Sequence, residues 1–301
     1  MTQRPLRLGS RRSPLARRQT EEIASWLTPV LPDWPIEIVF RTPSGDRDRR
    51  PGRPPDFADA LEAALKDGSI DIAVHSAKDL SAPLDPAFRL VAGARRADPR
   101  EALVYPRRAG GEPLPRGARV GSSSVRRRAQ LLRWRPDLQV VDLRGNVESR
   151  VARVLRGELD AAVLAVAGLH RLERREWIGR ILPTSRFLPA PCQGILGLEI
   201  RREDHRLHRL LQSIAHPRTA RALAAERAVL EGFGGDCQQP LGALATEGGG
   251  RLTVRAEYID ADGQRTLRAR RAGDASQARG IGLRVARDLR RLQGSASPRH
   301  R

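Results

Sequence analysis

Residues 70–79 read Ile-Asp-Ile-Ala-Val-His-Ser-Ala-Lys-Asp. An apolar run ends abruptly in His75, Ser76, Lys78 and Asp79, placing an ammonium beside a carboxylate. In open α/β sheets, ligands bind just past the carboxyl ends of the strands. This tip is therefore a candidate site. Its lysine stands out, because among the 55 basic residues only Lys66 and Lys78 are not arginine.

The arginines carry the second signal. Ser122–Ser124, followed by Arg126 and Arg127, fall at a predicted strand-to-helix turn. There, free N–H groups, hydroxyls, the positive helix end and guanidinium groups converge on an anion. Arg144 directly follows the predicted strand 138–143, with Gly145 allowing close backbone approach. Arg150 lies one turn into the next helix, and Arg171 follows the predicted strand 161–166. Arg11 and Ser13 repeat the scheme near the N-terminus. Arginine grips carboxylates through paired hydrogen bonds. A single such site would read as a capped helix with a solvated arginine. Repeated in two lobes, the set reads as a cleft lined for a polycarboxylate. The net charge of +20 also implies polyanionic partners. Nucleic acid fits less well, because no aromatic platforms interleave with the basic residues.

Cys237 lies in the run Gly-Phe-Gly-Gly-Asp-Cys at 232–237. A lone cysteine is most often a small buried hydrophobe, whereas a glycine-rich loop suits an attachment point or nucleophile. Spacing leaves both readings open, and Asp236 disfavours the thiolate. Cys192, in Pro-Ala-Pro-Cys-Gln-Gly, reads as structural. Two thiols make no disulfide framework. His205 and His208, at i and i+3 with no third ligand nearby, read as surface histidines rather than a metal pair.

The elements that must position these groups alternate between strand and helix. A first strand ends at Arg7–Ser10, and a helix with Pro14 near its start runs to Leu27. Ile36–Phe40 is the next strand. After an Arg- and Pro-rich loop at 41–55, Asp56 is the expected cap of a helix that buries Phe57, Leu61, Ala64 and Leu65. Gly68 ends that helix. In the second lobe one helix turns Val125, Ala129 and Leu132 to one face, and the next turns Val147, Val151, Val154 and Leu155 inward. Residues 68–74 (GSIDIAV) and 157–163 (GELDAAV) open the third strand of each lobe alike. The fold class is α/β, with two lobes of mixed, mostly parallel sheets covered on both faces. Beyond Pro217 a helix, three strands with a turn at Asp262-Gly263 and a final helix at 275–292 make a small α+β domain. The expected domains are 1–95 with 195–214, 100–189 and 217–294, ahead of a disordered tail at 295–301. No apolar run reaches the ~20 residues of a membrane helix, and the charged N-terminal stretch has no apolar h-region, so secretion is not expected.

Taken in order, RLGSRRSPLA (7–16), DIAVHSAKD (71–79), GSSSVRR (121–127), RGNVESR (144–150), AVAGLHR (165–171), LPAPCQG (188–194), TARALAAER (219–227) and GDCQQPLG (235–242) resemble the porphobilinogen deaminase (hydroxymethylbilane synthase) family along nearly the whole chain. The resemblance implies two lobes like those of periplasmic binding proteins, with a cleft and hinge, plus a C-terminal domain. It implies a dipyrromethane cofactor in thioether linkage to Cys237. It also implies head-to-tail joining of four porphobilinogen molecules with loss of ammonia, and release of hydroxymethylbilane by water. Loss of ammonia leaves an electron-poor azafulvene, whose charge a fixed carboxylate stabilises. Asp79 matches the catalytic aspartate. Lys78 matches the lysine beside it. Arg11, Ser13, Ser124, Arg126, Arg127, Arg144, Arg150, Arg171 and Gln193 match cofactor- and substrate-binding positions. A cytoplasmic monomer is expected, with porphobilinogen as small-molecule substrate and neither nucleic acid nor membrane as partner.

Three departures from the family pattern stand out. The glycine- and lysine-containing loop before the helix at 57 is shorter here, and Arg53 is the nearest substitute for its lysine. Cys192 and Asp236 stand where the family usually has glycine. The other reading that the sequence admits is a non-catalytic two-lobed binding protein for an anionic ligand.

Overall fold

The computed structural model describes residues 4–43, 58–106, 114–234, 239–260 and 263–295. The chain divides into two compact units, Met1–Ala97 with Gly194–Ala220, and Asp98–Gln193 with Arg221–Arg301.

In the first unit, β1 (Leu6–Arg11), β2 (Ile36–Arg41), β3 (Ile72–Ser76), β4 (Phe88–Ala92) and β10 (Leu196–Arg201) form one sheet in the order β2-β1-β3-β10-β4. β10 alone runs antiparallel to its neighbours. Alternation sorts the side chains. Leu6, Leu8, Ile72, Val74 and Leu198 pack with Ile23 and Leu27 of α1 (Pro14–Leu27) and with Leu207 and Leu211 of α6 (His205–Ile214). Ala73 faces the other way, with Leu61, Ala64 and Leu65 of α2 (Asp59–Lys66). Helices thus cover both faces, as a parallel-type sheet requires. α2 starts behind Ala58, which offers no side-chain cap. The expected cap Asp56, together with Phe57, lies outside the described residues.

The second unit repeats the design. β5 (Glu101–Val104), β6 (Arg119–Gly121), β7 (Gln139–Val141), β8 (Ala161–Ala165) and β9 (Ile178–Leu182) are ordered β7-β6-β8-β5-β9, with β5 antiparallel. The two similar heptapeptides occupy equivalent places. Gly68 (φ 71°) and Gly157 (φ 74°) each turn a helix end in the left-handed region. Asp71 then accepts the Arg7 N–H at 2.9 Å, and Asp160 accepts the Arg119 N–H at 2.7 Å. The two aspartates thereby pin β3 to β1 and β8 to β6.

Helices α3 (Val125–Trp134), α4 (Val147–Leu155) and α5 (Val166–Arg171) surround this sheet. Two expectations about them are corrected. Val125 is 40% exposed, and α3 instead buries Arg126, Arg127 and Gln130 beside Ala129 and Leu131. Leu155 is 58% exposed, while Val151 and Val154 are buried. The apolar pattern misled on α3 because a buried carboxylate, Glu101, satisfies its arginines.

The same unit holds a meander of β11 (Leu241–Gly248), β12 (Arg251–Ile259) and β13 (Thr266–Asp274), antiparallel throughout. It is flanked by α7 (Pro217–Phe233) and α8 (Ala278–Ser295). Buried Ile281, Val285 and Leu289 give α8 its inward stripe. The expected turn residue Asp262 and the tail 296–301 lie outside the described residues. The fold is the α/β class expected from the sequence, with a small α+β part after residue 217.

Candidate active site

Past the carboxyl end of β3 the chain makes a 3₁₀ turn, Ala77–Asp79. Ala77 N–H donates to Ile195 O at 3.0 Å, which moors the turn to the segment entering β10. Ala77 is buried and Asp79 exposed. A small pocket at this tip is lined by Arg11, Gln19, His75, Ser76 and Asp79. Its floor is tied together by Gln19 Nε2, which donates to Ser76 Oγ at 2.7 Å. Arg11 arrives from the end of β1, and Gln19 from α1, whose cap Ser13 accepts the Ala16 N–H at 3.3 Å. Strand ends and one helix thus bring a cation, an amide, a hydroxyl and an exposed acid to one opening.

In the second unit the carboxyl ends of the adjacent parallel strands β7, β6 and β8 lead to the other predicted groups. Ser124 caps α3, accepting the Arg127 N–H at 3.4 Å. Asn146 caps α4, accepting the Ser149 N–H at 2.8 Å. Between β7 and α4, Gly145 has φ 111°, and a Cβ there would stand 2.3 Å from Ser149 Oγ. Only glycine lets the chain turn this tightly after Arg144. Arg144 is exposed beside Asp142, with Nε 3.3 Å from its carboxylate. Arg150 Nε donates to Gly145 O at 2.7 Å. Arg171 closes α5, partly exposed.

Three predicted binding residues lie deeper than expected. Glu101, fully buried at the start of β5, holds Arg126 Nη2 at 2.5 Å and Arg127 Nη2 at 2.7 Å. Arg126 Nη1 also donates to Leu188 O, and Arg127 Nη1 to Val163 O. Burial pushes the Arg126 guanidinium below its ordinary pKa, and Glu101 opposes that shift. Gln193 is fully buried, with Nε2 donating to Pro99 O at 2.8 Å. These side chains brace the strand ends from behind. The only local trace in the sequence is that Glu101 opens the otherwise apolar run Glu-Ala-Leu-Val, which does not name its partners. Removing one partner from a buried ion pair leaves uncompensated charge and costs about 3–5 kcal/mol. Glu101→Ala is therefore expected to lower stability by about that much. Urea unfolding of the full chain is the check.

Residues 6–209 match the family model described as "Porphobilinogen deaminase, dipyromethane cofactor binding domain", and residues 220–291 match "Porphobilinogen deaminase, C-terminal domain". The chain belongs to the porphobilinogen deaminase family. Among curated relatives, the porphobilinogen deaminase of Thermus thermophilus is 41% identical over 94% of this chain and 94% of its own length. That of Roseiflexus castenholzii is 42% identical over 97% of each. That of Chromobacterium violaceum is 43% identical over 94% of this chain and 93% of its own. Among solved structures, the BenM effector-binding domain with benzoate aligns at a TM-score of 0.44 with 14% identity, covering 71% of this chain and 91% of that one.

The family's cofactor can be tested against this donor set. A dipyrromethane built from porphobilinogen carries several carboxylates. Arg144, Arg150, Arg171 and the Ser-capped start of α3 supply cations and N–H groups at one sheet edge, which suits such a polyanion. Cys237 lies outside the described residues. The backbone at Cys192 bears on the expectation of a glycine at this position. Cys192 has φ 64° and is buried, a conformation costly for residues with a Cβ. Its N–H donates to Glu226 Oε2 at 2.5 Å, and Glu226 Oε1 accepts the Ala245 N–H at 2.7 Å. One buried carboxylate on α7 therefore ties the 188–192 segment to β11. Sequence reasoning passed over Glu226, which sits inside TARALAAER as one charge among several.

Proposed function

We propose that this chain is a hydroxymethylbilane synthase, polymerising four porphobilinogen molecules head to tail with loss of ammonia. The observation that carries the reading is the placement of Asp79. It is an exposed carboxylate on a moored turn beside a pocket shared with Arg11, in a chain whose relatives are porphobilinogen deaminases. A preorganised carboxylate stabilises positive charge as it develops on a pyrrole that loses ammonia. It also accepts a proton when aromaticity returns. Lys78, beside it, pairs with substrate carboxylates and helps orient them.

Arg11, Ser13, Ser124, Arg144, Arg150 and Arg171 bind carboxylates of cofactor and substrate. Arg126, Arg127 and Gln193 act from behind, fixing the start of α3 and the crossing segments. These arginines would hold a dipyrromethane joined to Cys237, and that group would supply a covalent primer with a nucleophilic pyrrole carbon. We read the second unit as two domains, 100–189 and 217–294, beside a first domain of 1–95 with 195–214. The separate three-stranded sheet supports that division. A cytoplasmic monomer fits the reading, and among the described residues no helix is long and apolar enough to cross a membrane.

Arg144 offers a clean test because it is exposed. A charged hydrogen bond is worth about 1.5–3 kcal/mol. Arg144→Gln is thus expected to weaken use of porphobilinogen at least about tenfold, with the unfolding midpoint unchanged. Steady-state kinetics beside a thermal melt would show it. Unchanged kinetics would remove Arg144 from the binding set.

A further inference from the structure

A buried acid–imidazole pair lies beneath the Asp79 tip. His75 Nε2 lies 2.9 Å from Glu199 Oε2, and the two side chains are 5% and 0% exposed. They belong to neighbouring antiparallel strands, with His75 opposite Gly197 and Glu199 opposite Ala73, so the contact runs diagonally across the α2 face of the sheet. The second oxygen, Glu199 Oε1, is buried and meets no hydrogen-bond partner among the described residues.

Such an arrangement is a poor device for stability. Two titratable groups in an apolar layer cost desolvation that well-packed hydrophobic residues would avoid. An orphaned carboxylate oxygen adds to that cost. His75 nevertheless does one thing a leucine could not. It joins the wall of the pocket that contains Asp79, Arg11, Gln19 and Ser76, while its far side is anchored to a deep carboxylate. The 3₁₀ turn bearing Lys78 and Asp79 begins two residues after it.

We propose that Glu199 and His75 are a positioning pair for the Asp79 site, sharing one proton across the Nε2–Oε2 contact. The shared proton fixes the ring's orientation and tautomer, and the fixed ring holds the pocket wall against which Asp79 works. The inference rests on the catalytic reading of Asp79. Asp79 touches substrate in that reading, whereas Glu199 acts only through His75. A proton held between the two also makes sense of the orphaned oxygen. With its partner oxygen engaged in that contact, Oε1 costs less than in a lone buried anion.

The test uses the full-length protein in two ways. Proton NMR of ¹⁵N-histidine-labelled protein reads the pair without turnover. A far-downfield Nε2 proton of His75, slow to exchange with solvent, is expected, and it disappears in Glu199→Gln. Kinetics with porphobilinogen read its consequence. In Glu199→Gln, kcat is expected to fall about ten- to a hundredfold, the range that misplaced catalytic geometry produces, with KM changed less than twofold. His75→Gln, whose amide can still donate from the Nε2 position, is expected to recover part of kcat relative to His75→Ala. Absence of the downfield proton in the wild type overturns the proposal, even should the variants fail to fold. Wild-type kinetics in both Glu199→Gln and His75→Ala overturn it as well. If the wild type itself leaves porphobilinogen unconsumed, the catalytic reading fails, and the NMR result still decides the proton-sharing pair.

Discussion

Cys237→Ser is expected to yield a folded protein with the mass of the bare polypeptide and no turnover of porphobilinogen. The oxygen of serine is a far weaker nucleophile at neutral pH than a thiol, so no thioether forms and the primer is missing. Cys192→Ser is expected to behave differently. Cys192 is buried on the 188–192 segment, where its backbone N–H is held by Glu226. Serine keeps that N–H and nearly the same volume. Activity and the added cofactor mass should both persist. Intact-mass measurement of the two variants separates the cases, and equal activity in both would overturn the assignment of Cys237. The left-handed backbone at Cys192 gives a sharper structural contrast. A β-branched residue is poorly tolerated at positive φ, so Cys192→Val should destabilise the chain where Cys192→Ser does not.

Asp79→Asn carries the second large effect. The carboxylate is exposed at the end of a moored turn, so its loss should leave the unfolding midpoint in place. An amide of the same shape cannot stabilise a developing cation or take up a proton. Losing one preorganised electrostatic partner costs about 10²- to 10³-fold in kcat. A fall of that size is therefore expected, with KM little changed. Rapid-quench measurement of the first condensation would place the loss in the chemical step. A variant with near wild-type kcat would move catalysis away from Asp79.

Much of this architecture is legible in the sequence where a local rule acts alone. Gly68 and Gly157 sit where helix ends need a left-handed residue, and each strand that follows is found where it is expected. The tip at His75–Asp79 reads as a polar end to a buried strand because burial and polarity change within one residue. The failures share a cause. Arg126 and Arg127 look like ligand-facing cations because a charged residue in a helix is normally solvated. Their partner Glu101 lies 25 residues earlier in the chain, on β5, and no local pattern announces the pairing. Glu199 is hidden in the same way, 124 residues from His75. Strands β4, β5, β9 and β10 go unassigned in the sequence because short apolar runs without turn signals on both sides do not declare their partners. Long-range pairing of buried charge is what the sequence leaves unspoken, and in this chain those pairs sit behind the residues proposed to bind and react.

Condensation of porphobilinogen by this chain can be followed directly. The most direct measurement is incubation of the purified full-length protein with porphobilinogen, following pyrrole consumption, ammonia and the tetrapyrrole product together. One ammonia released per porphobilinogen consumed and one linear tetrapyrrole formed per four are expected. Binding of porphobilinogen without ammonia release would contradict this reading and would leave a two-lobed anion-binding protein in its place.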